Sequence, residues 1–200
     1  VNWDTQLQTA ISDVEVIQKD VQSQLYYIDY QIENSKNKIT IATTRPETMM
    51  GDTAVAVNPK DERYINLIGK NAIIPLVNRK IKIIADHYAD PEQGSGAVKI
   101  TPGHDFYDYE VGTRNKLEII NIFTEEGKIN NNAPEEFVGL DRFEARKKIL
   151  EELTEKEQLV TELREMLEGT SRKALLEADK DEAEFLQEKL NKVPYPIYIG

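Results

Sequence analysis

The sequence predicts an α/β fold carrying a helical appendage, and three observations lead there. Short β-type runs alternate with helical pieces across residues 1–153, and Gly, Pro and Asn separate them. Beyond residue 153 the strand pattern stops and two amphipathic helical patterns follow. Apolar residues make up 40% of the chain and charged residues 30%, an ordinary balance for a globular protein of 200 residues.

The first strand pair is "QLYYIDYQI" and "NKITIATT", joined by the turn-prone "ENSKN". "DTAVAV" then stops at Asn58-Pro59. "PKDERYINLIG" reads as a helix that Gly69 ends. "NAIIPLV" and "RKIKIIAD" flank a turn at Val77-Asn78-Arg79. "GSGAVKIT" and "LEIINIF" are further strands, apolar enough to be buried. Between them, Asp105–Lys116 is helical. "DRFEARKKILEEL" is a helix capped by Asp141, with Phe143, Ile149, Leu150 and Leu153 on its apolar side. Thr154 and Glu157 have capping-box spacing for the next helix, which Gly169 stops. A second helix restarts at Thr170 or Ser171, so residues 154–192 form a helical hairpin. The hairpin packs on itself or the main domain, or serves as a partner-binding arm. Residues 193–200, "VPYPIYIG", are extended, and their prolines suit a sheet edge or linker.

Bulk properties exclude several classes. No apolar run approaches the ~20 residues of a membrane-spanning helix. The start, "VNWDTQLQTA", lacks the pattern of a signal peptide. Zero cysteines remove disulfides and thiolate metal sites, which fits the cytoplasm. A net charge of −11 argues against autonomous, tight nucleic-acid binding.

Two stretches place polar residues beside strands. In "TTRPETMMGDTAVAVNP", Thr43 and Thr44 end a β run, Arg45 precedes Pro46, and a short helix begins at Glu47-Thr48. N–H groups and hydroxyls there can receive a carboxylate or carbonyl oxygen. Thr44 fits a plain N-cap as well. In "KITPGHDFYDYEVG", Lys99 and Thr101 share one side of a strand. Asp105 and Asp108 share one face of the helix that follows, near its N-terminus, where their charged forms are favoured. An ionised carboxylate there can bind an ammonium group, although Asp105 also fits a helix cap. His104 can serve as acid or base. One histidine with two carboxylates falls short of a metal site, and none is expected. His87 lies in a loop-like stretch and is read as structural or solvated.

"VNWDTQLQTAISDVEV", the two stretches above and "INIFTEEGKINNNAPEEFVGLDRFEARKKI" together resemble the editing domain of the valyl-tRNA synthetase family, over residues 1–153. That domain is the connective-polypeptide insertion of a class I aminoacyl-tRNA synthetase. The resemblance implies a β-barrel-like editing domain with flanking helices. It also implies post-transfer hydrolysis of threonine mischarged on valine tRNA. An apolar pocket separates valine from threonine by only ~10²-fold, a figure already established for this family, so a second site must remove the error.

The family's pattern puts Asp108, Asp105 and Thr101 at the reacting end. Arg45, Thr43, Thr44, Lys99, Phe106 and His104 would line the substrate pocket. Asp108 would anchor the α-ammonium; Thr101, Lys99 and Asp105 would contact the threonyl part or the terminal adenosine; Arg45 would position the ester or tRNA end. Expected partners are the 3′ end of threonyl-tRNA(Val) and the rest of a synthetase. A monomer without cofactor is expected. Motifs for ATP use and tRNA charging are absent, so no aminoacylation is expected of this chain. The alternative reading is a non-catalytic module that binds the aminoacyl-adenosine end and needs a parent synthetase for turnover. The stretch from residue 154 departs from the family's pattern.

Overall fold

The computed structural model describes residues 2–17 and 23–156. Two units are described separately. The first is an N-terminal hairpin in which β1 (Asn2–Asp4) pairs antiparallel with β2 (Thr9–Ile11). The Asp4 carboxylate closes its turn by accepting from the Gln6 and Leu7 N–H groups at 2.8 and 3.0 Å.

The second unit, residues 25–156, is a six-stranded mixed sheet curled into a nearly closed barrel. Its strands are β3 (Tyr26–Ile32), β4 (Lys38–Thr43), β5 (Ala54–Val57), β6 (Asn71–Ile73), β7 (Lys80–Ala85) and β8 (Ala97–Ile100). Their order is β4-β3-β6-β7-β5-β8, and the two outer strands, β4 and β8, lie close together. All neighbours are antiparallel except β5 and β7.

Period-two patterning sets the register. Ile28, Tyr30 and Ile32 of β3 and Ile39 and Ile41 of β4 point inward and are fully buried. Each such side chain contributes roughly 1.5–3 kcal/mol relative to exposure. β5 is buried on both faces: Val55 and Val57 enter the main core, while Ala54 and Ala56 join Ile100 and Val111 in a second cluster. Alanine on that face leaves room for α1 (Phe106–Asn115), which lies against β8. Helix α2 (Arg142–Glu155) buries Ala145, Ile149 and Leu153 and packs on the 3₁₀ turn Pro46–Gly51. Both helices begin on the aspartates expected: Asp105 caps α1, and Asp141 with Glu144 forms a capping box on α2. Among the described residues no helix is long and apolar enough to cross a membrane.

Four expectations are corrected. "PKDERYINLIG" forms turns and one 3₁₀ turn, Ile65–Leu67, because the Asp61 side chain binds the Arg63 N–H and guanidinium and competes with helical bonding. Gly69 still ends the stretch, at φ +84°. "LEIINIF" makes no strand, only an isolated bridge at Phe123. Its Ile122 N–H is taken by the His104 side chain, and Ile119 is exposed. Phe143 is exposed beneath the guanidinium groups of Arg142 and Arg146 rather than part of the apolar side of α2. Thr154 lies inside α2, donating to the Leu150 carbonyl, rather than at a helix start. The rest of the expected hairpin and the segment 193–200 lie outside the described residues.

Candidate active site

Two chain segments meet at the β4–β8 side of the barrel. The first is the Pro46–Gly51 turn. Proline suits its opening position, and the residue before a proline is kept out of the helical region; Arg45 has φ −128° and ψ 66°. The Thr43 hydroxyl accepts from Arg45 N–H at 3.1 Å, and the Thr48 hydroxyl donates to the Arg45 carbonyl at 2.9 Å. Arg45, not Thr44, therefore occupies the cap position, and Thr44 is half-buried beside it. With its backbone held on both sides, Arg45 directs Nη1 to the His104 carbonyl at 3.0 Å. Glu47 is buried and accepts two hydrogen bonds from Arg146 of α2, at 2.7 and 2.8 Å; its Oε1 is also 3.6 Å from Arg45 Nε.

The second segment runs from β8 into α1. Lys99 and Thr101 do share a face, since Lys99 Nζ donates to Thr101 Oγ1. Asp105 spends Oδ1 on the N–H groups of Tyr107 and Asp108, at 2.9 and 3.1 Å. Asp108, in the first turn, is buried and accepts from Thr101 N–H at 2.8 Å. Burial pushes its carboxyl up to about 7, the Lys99 ammonium pulls against that, and the Asp105 and Asp52 charges add to it. Phe106 opens α1 and is exposed.

His104 is built into the wall. Its Nε2 accepts from Ile122 N–H at 2.9 Å and its ring meets Phe123 edge-on at 4.7 Å. Burial, with the Arg45 and Lys99 charges, lowers it to about 3, so it is neutral near pH 7 with one lone pair already used. Gly103 lets the turn sit so close: a Cβ there would lie 2.5 Å from the Ile120 carbonyl oxygen. His87 is exposed, in the turn after β7.

The residue missed from the sequence is Asp52. It is fully buried, and Oδ1 accepts from Lys99 Nζ at 3.0 Å and Thr101 Oγ1 at 2.6 Å. Oδ2 accepts from the Tyr30 hydroxyl at 2.7 Å. Arg79 grips the loop by donating to the Met50 and Asp52 carbonyls at 2.8 and 2.9 Å. Burial raises the Tyr30 hydroxyl well above its ordinary range, so it stays a donor. Burial also pushes Asp52 upward, against the pull of Lys99 and both hydroxyls. A signal did exist: a carboxylate ahead of the all-apolar "AVAV" and a lysine inside the apolar "AVKI" each need a buried partner. The pairing Ala54↔Ile100 brings them together.

The cluster thus holds a buried carboxylate with a single donor, a threonine hydroxyl whose proton points to Asp52, and a guanidinium at the rim. It can receive a group with a cationic end and an oxygen-rich end. Among the described residues no group of His, Asp and Glu could hold a metal ion. A shallow depression on α2, lined by Lys147, Leu150, Glu151, Thr154 and Glu155, contains none of these residues and is a solvent-facing groove.

No family model matches the chain. Its sequence is 68% identical over 162 residues to the valine–tRNA ligase of Pelagibacter ubique, covering 81% of this chain and 18% of that protein. It is 56% identical over 155 residues to the valine–tRNA ligase of Bacillus subtilis, covering 78% of this chain and 18% of that protein. The chain is homologous to a segment of valine–tRNA ligases. It spans under a fifth of the length of these two ligases. Two solved structures share the fold of the barrel. The leucyl-tRNA synthetase CP1 domain GlLeuRS-CP1 aligns with TM-score 0.56 and 14% identity, covering 68% of this chain and 97% of that one. Agrobacterium radiobacter agnB2 LeuRS, in a ternary complex with tRNA and LeuAMS, aligns with TM-score 0.55 and 20% identity, covering 70% and 20%. The valyl-type segment therefore has the editing-domain fold.

Proposed function

We propose that this valyl-type segment hydrolyses the ester of threonine mischarged on valine tRNA. The observation that carries the reading is Asp108, a buried carboxylate that accepts one hydrogen bond, in a valine–tRNA ligase homologue. Its negative charge suits the substrate's α-ammonium, while Arg45 suits an ester or phosphate oxygen. Thr101 Oγ1 gives its proton to Asp52 and accepts from Lys99, so it meets a ligand as an acceptor. A threonyl hydroxyl can donate to it and a valyl methyl cannot, and an unpaired buried polar group costs about 1–3 kcal/mol.

The ester is already activated, so positioning contributes most of the rate. Water adds hydroxide to the acyl carbon, the acyl–oxygen bond breaks, and the ribose oxygen takes the proton. Neither cofactor nor metal enters. The chain spans under a fifth of these ligases, so most affinity for tRNA would come from the remainder of a synthetase. The test is incubation of excess chain with threonyl-tRNA(Val) and valyl-tRNA(Val). Selective release of threonine is expected. Equal rates for both esters would refute the specificity, and no release from either would leave a binding module instead of a hydrolase.

A further inference from the structure

The buried charges at this site outnumber what the proposed hydrolysis requires. Asp108 faces Lys99 from β8, Asp105 from its own helix cap and Asp52 from the loop ahead of β5. An ammonium beside two buried carboxylates has a choice of partner. If Lys99 paired with Asp108, the site would be closed by its own cation, and a ligand's ammonium would have to displace it. The geometry shows the other arrangement. Lys99 Nζ lies 3.0 Å from Asp52 Oδ1 and also donates to Thr101, while the Asp108 carboxylate accepts from a backbone N–H. Among the described residues no cation lies within ion-pair distance of Asp108.

We infer that Asp52 is a positioning residue: it sequesters the Lys99 ammonium and orients the Thr101 hydroxyl, keeping Asp108 open to a ligand's cation. This rests on the reading of Asp108 as the ammonium anchor. Asp52 is built for the task. Tyr30 holds Oδ2 from inside the barrel, and Arg79 clamps the Asp52 carbonyl, so the carboxylate cannot follow Lys99 toward Asp108. Oδ1 takes both site-facing donors, which leaves Thr101 one lone pair for a ligand. Burial is the largest influence on the Asp108 carboxyl, and although Lys99 is paired to Asp52 its charge still outweighs that of Asp52 there.

Titrating the Asp108 carboxyl by carbon-detected NMR in the whole chain tests this independently of catalysis. Asp52→Asn is close to isosteric: its Oδ1 can still accept from Lys99 and Thr101, and its amide can donate to Tyr30. It removes the charge and reverses the hydrogen bond with Tyr30. Lys99 should then turn to Asp108 and lower its midpoint by at least about one pH unit. The deacylation kcat/KM for threonyl-tRNA should fall mainly through KM. An unmoved or raised midpoint would overturn the inference. Should Asp52→Asn alone fold poorly, Asp52→Asn with Lys99→Met removes the pair together, a change buried ion pairs often tolerate. The double variant should bring the midpoint back to the wild-type value or above it, since Lys99 is no longer there to turn to Asp108. A midpoint that stays as low as in Asp52→Asn would show that Lys99 is not the group that moves it, which overturns the inference. Loss of hydrolysis with the expected titration intact would count against the hydrolase reading alone.

Discussion

The Pro46–Gly51 turn and the first turn of α1 each bury a carboxylate, and they treat it in opposite ways. Glu47 is saturated by a bidentate guanidinium from α2. Asp108 accepts one backbone N–H and has no ion pair among the described residues. Both lie at the same end of the barrel, so burial alone does not distinguish them. Partner count does: a saturated buried charge holds the fold together, and an unsaturated one holds unspent binding capacity.

The comparison can be broken most directly at the saturated end. Arg146→Ala leaves Glu47 buried with only Arg45 Nε, 3.6 Å away, to take over. A loss of about 3 kcal/mol is expected in urea unfolding, the low end for a halved buried pair. A change below ~1 kcal/mol would mean that the turn does not need α2.

Asp108→Ala should do the reverse. Losing the anchor of a buried ammonium is expected to lower kcat/KM for threonyl-tRNA deacylation by ~10²–10³-fold, with the fold retained by circular dichroism. Unchanged hydrolysis would return Asp108 to a purely structural role.

Asp108→Asn sharpens the contrast through pH. The folded carboxyl titrates near 7, above its ordinary value of 3.8, so between those values the folded chain binds more protons than the unfolded one. Stability therefore falls as pH rises through that window. The variant should be more stable than wild type at pH 8 by ~2–4 kcal/mol, and by almost nothing at pH 4. Equal stabilities at pH 8 would show that the site costs the fold nothing. Asp105→Ala should have the smallest effect on stability, about 1 kcal/mol from a lost N-cap. An equilibrium unfolding curve for that variant separates the cap from any added role in binding.

Much of the scaffold was legible in local chemistry. The alternation in "YYIDYQI" and "KITIAT" gives β3 and β4, and Asp105, Asp141 and Pro46 begin their elements where such residues should. Motif and spacing point to Arg45, Lys99, Thr101 and Asp108; Lys99, Thr101 and Asp108 are linked by hydrogen bonds, and Arg45 reaches the His104 carbonyl. "LEIINIF" was misread because apolar composition reports burial and cannot say which group takes a backbone N–H; there it is a histidine side chain. "PKDERYINLIG" was misread because aspartate bonding to its near neighbours outweighed helical spacing.

By itself the amino-acid order determined where β3, β4, α1 and α2 lie, which polar residues stand beside them, and the likeness to valine–tRNA ligases. Those features depend on neighbours a few positions apart. Tertiary structure alone decided which carboxylate receives Lys99, because Asp52 and Lys99 are 47 positions apart and meet only through the β5–β8 register. It decided likewise that Glu47 is spent on Arg146, 99 positions away, while Asp108 receives only the Thr101 N–H. Charge pairing in a barrel is settled by which strands become neighbours, and that is a property of the closed sheet.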